Sequence, residues 1–334
     1  MHKSIVLSLL VVCAISACAP GTPEVVVYTA LDELYSKPIL DAFEAETGIR
    51  VRALYDTEAS KTTGLVSRLM AERYRPRADV FWNNEVAQTI LLKNADALDA
   101  YESPNAEPIP ASFKDSDRYW TGFAARARVI IYNTNLTEAP PQSLRAFADP
   151  KWKGKLAIAK PLFGTTATHI AALFSTWGDE NAAAFLESLL ENVVAILAGN
   201  ATVRDRVASG EFAAGLTDTD DANGAVEDGK PVNWHFPDQE EGGIGTLLIP
   251  NTVALVRGAP NADAGRRLID FLLSAEVESR LAAARSIQIP LNPTVTTSNN
   301  TPRIQDIRAM QLDWNEVAEA MPRATQFVKE SIVR

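Results

Sequence analysis

From residue 24 onward the chain alternates short apolar runs with amphipathic segments of helical period. Residues 24–28 (Glu-Val-Val-Val-Tyr) are β-branched and almost wholly apolar, as a strand covered on both faces should be. Residues 38–46 predict a helix: Pro38 suits a first turn, Ile39, Leu40 and Phe43 share one face, and Gly48 ends it. Strands over 51–55 and 78–82, and a helix over 60–74 with Leu65, Leu69 and Met70 inward, complete a βαβαβ order. That order implies a parallel sheet with right-handed crossovers. Such sheets bind ligands beyond the carboxyl ends of their strands, where 28–33, 55–60 and 82–85 fall. After Gly122 a second unit follows the same alternation. A strand over 127–132 crosses between units and another spans 155–159. A Gly/Thr loop (161–168) opens a helix reaching Trp177, and a helix covers 180–192. Strand, helix and strand then occupy 193–197, 202–209 and 213–216. The apolar run 245–256 crosses back, helices follow at 263–273 and 275–284, and 303–333 is mostly charged helix.

The first residues predict processing rather than structure. Lys3 precedes an apolar run (5–15) too short to span a bilayer. The run ends in Ile15-Ser16-Ala17-Cys18, the pattern of a bacterial lipobox, with Cys18 as the lipidated residue. An ordinary secretory leader cut after Ala17 or Ala19 is the plainer alternative. The Pro/Gly/Thr tether over 18–23 favours the lipobox. The expected organisation is a signal peptide at 1–17, a lipidated tether at 18–23, one lobe of 24–124 plus 246–295, and another of 125–245 plus 296–334. Two lobes suit a length of 334 residues, more than one core usually holds. Cys13 is lost with the leader and only His169 and His235 survive it, which argues against a zinc or copper site. A net charge of −10 argues against nucleic acid. No nucleophile elbow, P-loop, dinucleotide fingerprint or zincin helix is present, so no enzyme is expected.

The candidate chemistry lies at 216–221, Leu-Thr-Asp-Thr-Asp-Asp, expected on a strand ending at the cleft. Asp218, Asp220 and Asp221 cannot be buried together without countercharge, because like charges in low dielectric raise one another's pKa. Either a cation stands among them, or they are solvated and cap the next helix. Gly164-Thr165-Thr166 offers free N–H groups and hydroxyls at a helix start, suited to an anion or to a plain cap. Glu85 ends a strand and is either a ligand or another cap. His169 reads as packed. Arg126 and Arg128 flank the crossover strand and can reach an anion, with an ion pair across the lobes the plainer role.

Taken in order, several stretches resemble the periplasmic ferric-iron-binding proteins of ABC importers. They are Val27-Tyr28-Thr29, 42–49 (AFEAETGI), 78–81 (ADVF), 128–134 (RVIIYNT), 150–154 (PKWKG) and 289–293 (IPLNP), and they cover nearly the whole mature chain. The resemblance implies a two-lobed α/β periplasmic-binding-protein fold, a parallel-rich sheet in each lobe and a hinge between them. Its first-strand histidine ligand falls near Asp32 or Glu33, its glutamate on Glu85, and its paired tyrosines on Thr219 and Asp220. Its anion seat falls on Gly164, Thr165, Thr166 and Asn200. The expected metal shell is thus Asp32, Glu85, Asp218 and Asp220, all carboxylate, which suits a hard cation without selecting iron. The implied function is a monomeric, lipid-anchored substrate-binding protein of the periplasm or cell-envelope surface that serves an ABC permease. Its ligand is ferric iron or another hard cation with an anion. The alternatives are a phosphonate-like zwitterion, or ligand sensing for a membrane receptor.

Overall fold

The computed structural model describes residues 22–56, 63–297 and 301–332. The leader, Cys18, Thr57, Glu58 and the start of the helix expected from residue 60 lie outside the described residues. The sequence-level alternation is present in space. β1 (Glu24–Thr29) pairs in parallel with β2 (Arg50–Tyr55) on one side and β3 (Val80–Asn83) on the other. The connecting helices are α1 (Glu33–Thr47) and α2 (Thr63–Glu72). α1 starts earlier than its pattern suggested and carries Pro38 in its interior. Proline removes only its own N–H and deprives the carbonyl four residues back; here that is Leu34, in an exposed first turn open to water.

Two long strands join the halves. β5 (Thr121–Asn133) and β10 (Leu248–Val256) are antiparallel partners, and both are buried almost throughout. β10 also pairs with β3 and with the short β4 (Leu98–Asp99). The far half of β5 pairs with β8 (Ala214–Asp218) and β9 (Val232–His235). β8 continues through β6 (Leu156–Ala159) to β7 (Ala195–Leu197), both pairings parallel. The sheet therefore runs β2-β1-β3-β10-β5-β8-β6-β7 as one path. The architecture is two-lobed α/β, each lobe built on one half of this sheet. Periodicity alone missed α3 (Ala87–Asn94), β4, α7 (Thr219–Glu227) and β9, each nine residues or shorter.

The helices of the second half are α4 (Gly164–Trp177), α5 (Asp179–Glu191), α6 (Asn200–Ala208) and α7 (Thr219–Glu227). α8 (Ala262–Leu272) and α9 (Ala275–Ala283) cover the first half, and α10 (Trp314–Phe327) packs on both α3 and α4. In the first half Val25, Val27, Phe43, Val80, Trp82 and Leu268 share one core; in the second, Val129, Ile131, Val203 and Val207 share another. Gly215 on β8 lets α6 lie against the sheet. A Cβ there would come 2.5 Å from Val203 Cγ1 and 2.9 Å from the Ala157 carbonyl. That close approach sets the first residue of α6, Asn200, at the carboxyl end of β8.

Candidate ligand-binding cleft

The N-termini of α1, α4, α6 and α7 all line one cavity of about 1230 Å³. The αβ order produces this, since each helix begins where a parallel strand ends. Among the described residues the N-cap side chain of none of the four accepts a hydrogen bond from its helix, so their first N–H groups and positive dipole ends favour negative charge in the cavity. Asp32, Asp218, Asp220 and Asp221 meet this field, with Arg126 and Arg204 beside them.

The acidic stretch does not lie on one strand. Asp218 ends β8, and Thr219 begins α7 at once. Asp220 and Asp221 therefore stand in a helix's first turn, where the dipole stabilises carboxylates. Ligand atoms of Asp218, Asp220 and Asp221 come within 4.8 Å of one another. Each also has an arginine. Arg128 Nη1 lies 2.6 Å from Asp218, Arg126 Nη1 3.6 Å from Asp220, and Arg204 Nη1 3.2 Å from Asp221. The β5–β8 register explains the first pair, because Arg128 is directly opposite Asp218.

The three carboxylates differ in how far they are satisfied. Asp218 is 2 % exposed. Its Oδ1 accepts from Arg128, and its Oδ2 accepts from the Thr165 hydroxyl at 2.7 Å and Asn200 Nδ2 at 3.0 Å. Arg128 also donates to Thr165, Thr166 and Asn200 oxygens at 3.1–3.3 Å. The residues expected to form separate metal and anion subsites thus form one network, in which the Asp218 carboxylate occupies the seat made by Thr165, Asn200 and Arg128. Asp221 is the opposite case. Burial, then the Asp220 and Asp218 charges, push its carboxyl up to about 8.

Arg126 is 4 % exposed, lines the cavity, and leaves Nε and Nη2 without partners among the described residues. Burial opposes its charge, but the Asp220, Asp218, Asp32 and Asp221 carboxylates outweigh that effect and hold it protonated. A buried guanidinium with two idle donors is costly unless an acceptor arrives.

Asp32 lies in the same cavity, at the N-cap of α1. Glu85 does not. It lines a separate hollow of about 260 Å³ beside α4 and α10. Both its oxygens are satisfied, by the Ala87 and Gln88 N–H groups at 2.8 and 2.9 Å, Asn83 Nδ2 and the Thr168 hydroxyl, each at 3.0 Å. The structure therefore brings together Asp32, Asp218, Asp220, Gly164, Thr165, Thr166 and Asn200, and leaves Glu85 capping α3. His169 is buried behind the network, and burial and the Arg128 charge keep it neutral by pushing its pKa well below the usual histidine value. Sequence reasoning missed Tyr35, Asn84 and Arg204, which also line the cavity. Arg204 stands one helical turn after Asn200, a spacing that gives it away once α6 is recognised.

Residues 39–310 match the family described as bacterial extracellular solute-binding protein. The chain is 26 % identical to the major ferric iron-binding protein of Neisseria meningitidis serogroup A, over 96 % of this chain and 97 % of that one. It is 28 % identical, over 94 % of each chain, to a Salmonella typhimurium periplasmic protein named for binding 2-aminoethylphosphonate. The solved structure of iron-bound HitA from Pseudomonas aeruginosa superposes with a TM-score of 0.83 at 22 % identity, over 92 % of this chain and 99 % of that one.

Proposed function

Because the chain belongs to the bacterial extracellular solute-binding proteins, we propose that it is the lipid-anchored receptor of an ABC importer and takes a small zwitterionic anion of the aminophosphonate kind. One observation carries this choice of ligand: the buried Arg126 guanidinium, in the cavity wall, with two donors idle. An anionic group supplies the missing acceptor and meets the uncapped starts of α4 and α6. A cationic group on the same solute meets Asp220, Asp221 and Asp32. The lobes, 24–124 with 246–295 and 125–245 with 296–334, close over it, and the closed form is what the permease recognises. The kinship to the Salmonella protein supports the reading.

A second reading has its own support. The Asp218, Asp220 and Asp221 oxygens cluster as a hard cation requires, and the Neisseria relative is named for ferric iron. Asp32 completes an all-oxygen shell, with an anion on Arg126. We rank it second because Arg126 Nη1 is only 3.6 Å from Asp220. A trivalent ion there faces a fixed positive charge at short range, which costs about 4 kcal/mol per unit charge near a protein surface. Calorimetry with 2-aminoethylphosphonate and with ferric citrate, beside elemental analysis of the purified protein, separates the two. Phosphonate binding to metal-free protein is expected. One iron per chain with no phosphonate binding overturns it.

A further inference from the structure

We propose that the loop 73–77 is a membrane-contact surface for anionic phospholipid, which turns the lipid-anchored protein so that its cleft opens away from the bilayer. Its sequence is Arg73-Tyr74-Arg75-Pro76-Arg77, in a chain whose net charge is −10. Arg73, Arg75 and Arg77 are exposed, and Tyr74 is 82 % exposed. Arg73 lies 4.6 Å from the centre of the Tyr74 ring and donates to its hydroxyl at 2.9 Å. Among the described residues, none of the three arginines has a carboxylate partner within 4.0 Å, whereas most other exposed arginines of the chain do. A cluster of unpaired arginines around an exposed tyrosine is the composition that meets a phosphate headgroup layer.

The fold places this loop where the anchor emerges. It joins α2 to β3, so it stands at the amino end of β3. β1 runs parallel to β3, with Val27 opposite Val80. Asp79 accepts the Val26 N–H at 2.7 Å and the Asn261 N–H at 2.6 Å, stapling the start of β1 and the β10–α8 turn to the end of the loop. The one carboxylate at the start of β1, Glu24, is neutralised by Arg50 and Arg52. The stretch from Cys18 to Glu24 spans at most about 20 Å, so lipid on Cys18 holds this sheet edge close to the headgroups. Repulsion from the acidic remainder is screened beyond a Debye length of roughly 8–10 Å. The cleft lies at the opposite, carboxyl end of the same strands.

The inference rests on the lipid-anchor part of the function proposed above. The test takes the protein expressed with its own leader, recovered with its lipid, in phosphatidylglycerol-containing and in pure phosphatidylcholine vesicles. Amide hydrogen exchange of the peptide covering 73–78 is expected to be at least tenfold slower on the anionic vesicles. Each arginine near an anionic surface is worth roughly a fivefold factor. The triple change Arg73→Glu, Arg75→Glu, Arg77→Glu, at exposed positions that leave the fold intact, should abolish the difference, and so should high salt. Equal exchange on both surfaces, with acyl chains found on Cys18 by mass spectrometry, overturns the docking and leaves the anchor standing. No acyl chain on Cys18 overturns anchor and docking together. Protection seen only when the permease is present assigns the loop to a protein partner and also overturns the proposal.

Discussion

Asp218 and Asp221 are three residues apart and do opposite things. Asp218 has a guanidinium, a hydroxyl and an amide on its two oxygens, and it is sealed from solvent. Asp221 has one arginine and one hydroxyl at more than 3 Å, and two carboxylates pressing on it. In the sequence both are carboxylates of one acidic stretch, and of the two only Asp218 was expected in the metal shell. What separates them is the number of donors each meets, and that number is set by strand register and helix starts. A carboxylate already saturated by the protein is architecture; one left short of donors is available for a ligand.

The sharpest way to break the comparison is to delete Asp218. Asp218→Ala leaves Arg128 buried and uncompensated, and removing one partner of a buried pair costs about 3–5 kcal/mol. Denaturant melts should show a loss of that size, whereas Asp220→Ala weakens ligand with little loss of stability. Equal stability losses in the two variants would make the distinction false.

Next in size is Arg126. Arg126→Ala should weaken 2-aminoethylphosphonate by about 2–5 kcal/mol, at least thirtyfold in calorimetry. On the metal reading the same change takes away a repelling charge and the anion's seat together, so the deciding measurement is phosphonate binding to metal-free protein: a loss of that size supports the first reading, and unchanged binding overturns it.

A smaller effect is expected from protons at Asp221. Its folded pKa, about 8, is above its ordinary value of 3.8. The native state therefore keeps a proton that the unfolded chain has shed, and stability falls as pH rises through that window. Asp221→Asn should flatten this slope and gain on the wild type between pH 5 and pH 8. Parallel stability curves for the two proteins would show that the cluster does not hold that proton.

The smallest effect belongs to Glu85. Glu85→Gln sets an amide N–H₂ against donors that now point at oxygen, and should cost about 1 kcal/mol, the usual worth of a cap. Ligand affinity should stay put, and a large loss of affinity would return Glu85 to the binding site.

The alternation of strands and helices was legible because each buried parallel strand is a nearly continuous apolar run and each helix has an apolar face, local patterns that survive without neighbours. The cavity's floor was legible in part. Gly164, Thr165 and Thr166 announce a helix start, and the acidic stretch announces charge that needs an answer. The answer itself was not legible. Arg128 opposite Asp218 is a matter of register between strands far apart in the chain, and no local pattern encodes it. The surroundings of Glu85 were hidden for the same reason: its donors come from Asn83, the first turn of α3 and Thr168 of α4, and no local pattern shows that they meet on one carboxylate. Pro38 misled in the other direction, because a proline permitted at a helix start is also tolerated deeper when the orphaned carbonyl faces water.

The strand order has one more consequence, for how the chain is made. β3 is finished early, yet its sheet neighbour β10 arrives only after the entire second half, with Val80 waiting for Leu255. A chain that emerges amino end first, as every chain does in synthesis, therefore presents the β1–β3 ribbon with one edge bare for most of that time, and a bare edge pairs readily with other chains. Contacts so distant along the chain also close slowly. Folding yield should thus depend on something shielding that edge until residue 256 emerges, and a circular permutant that supplies β10 early should fold without such help.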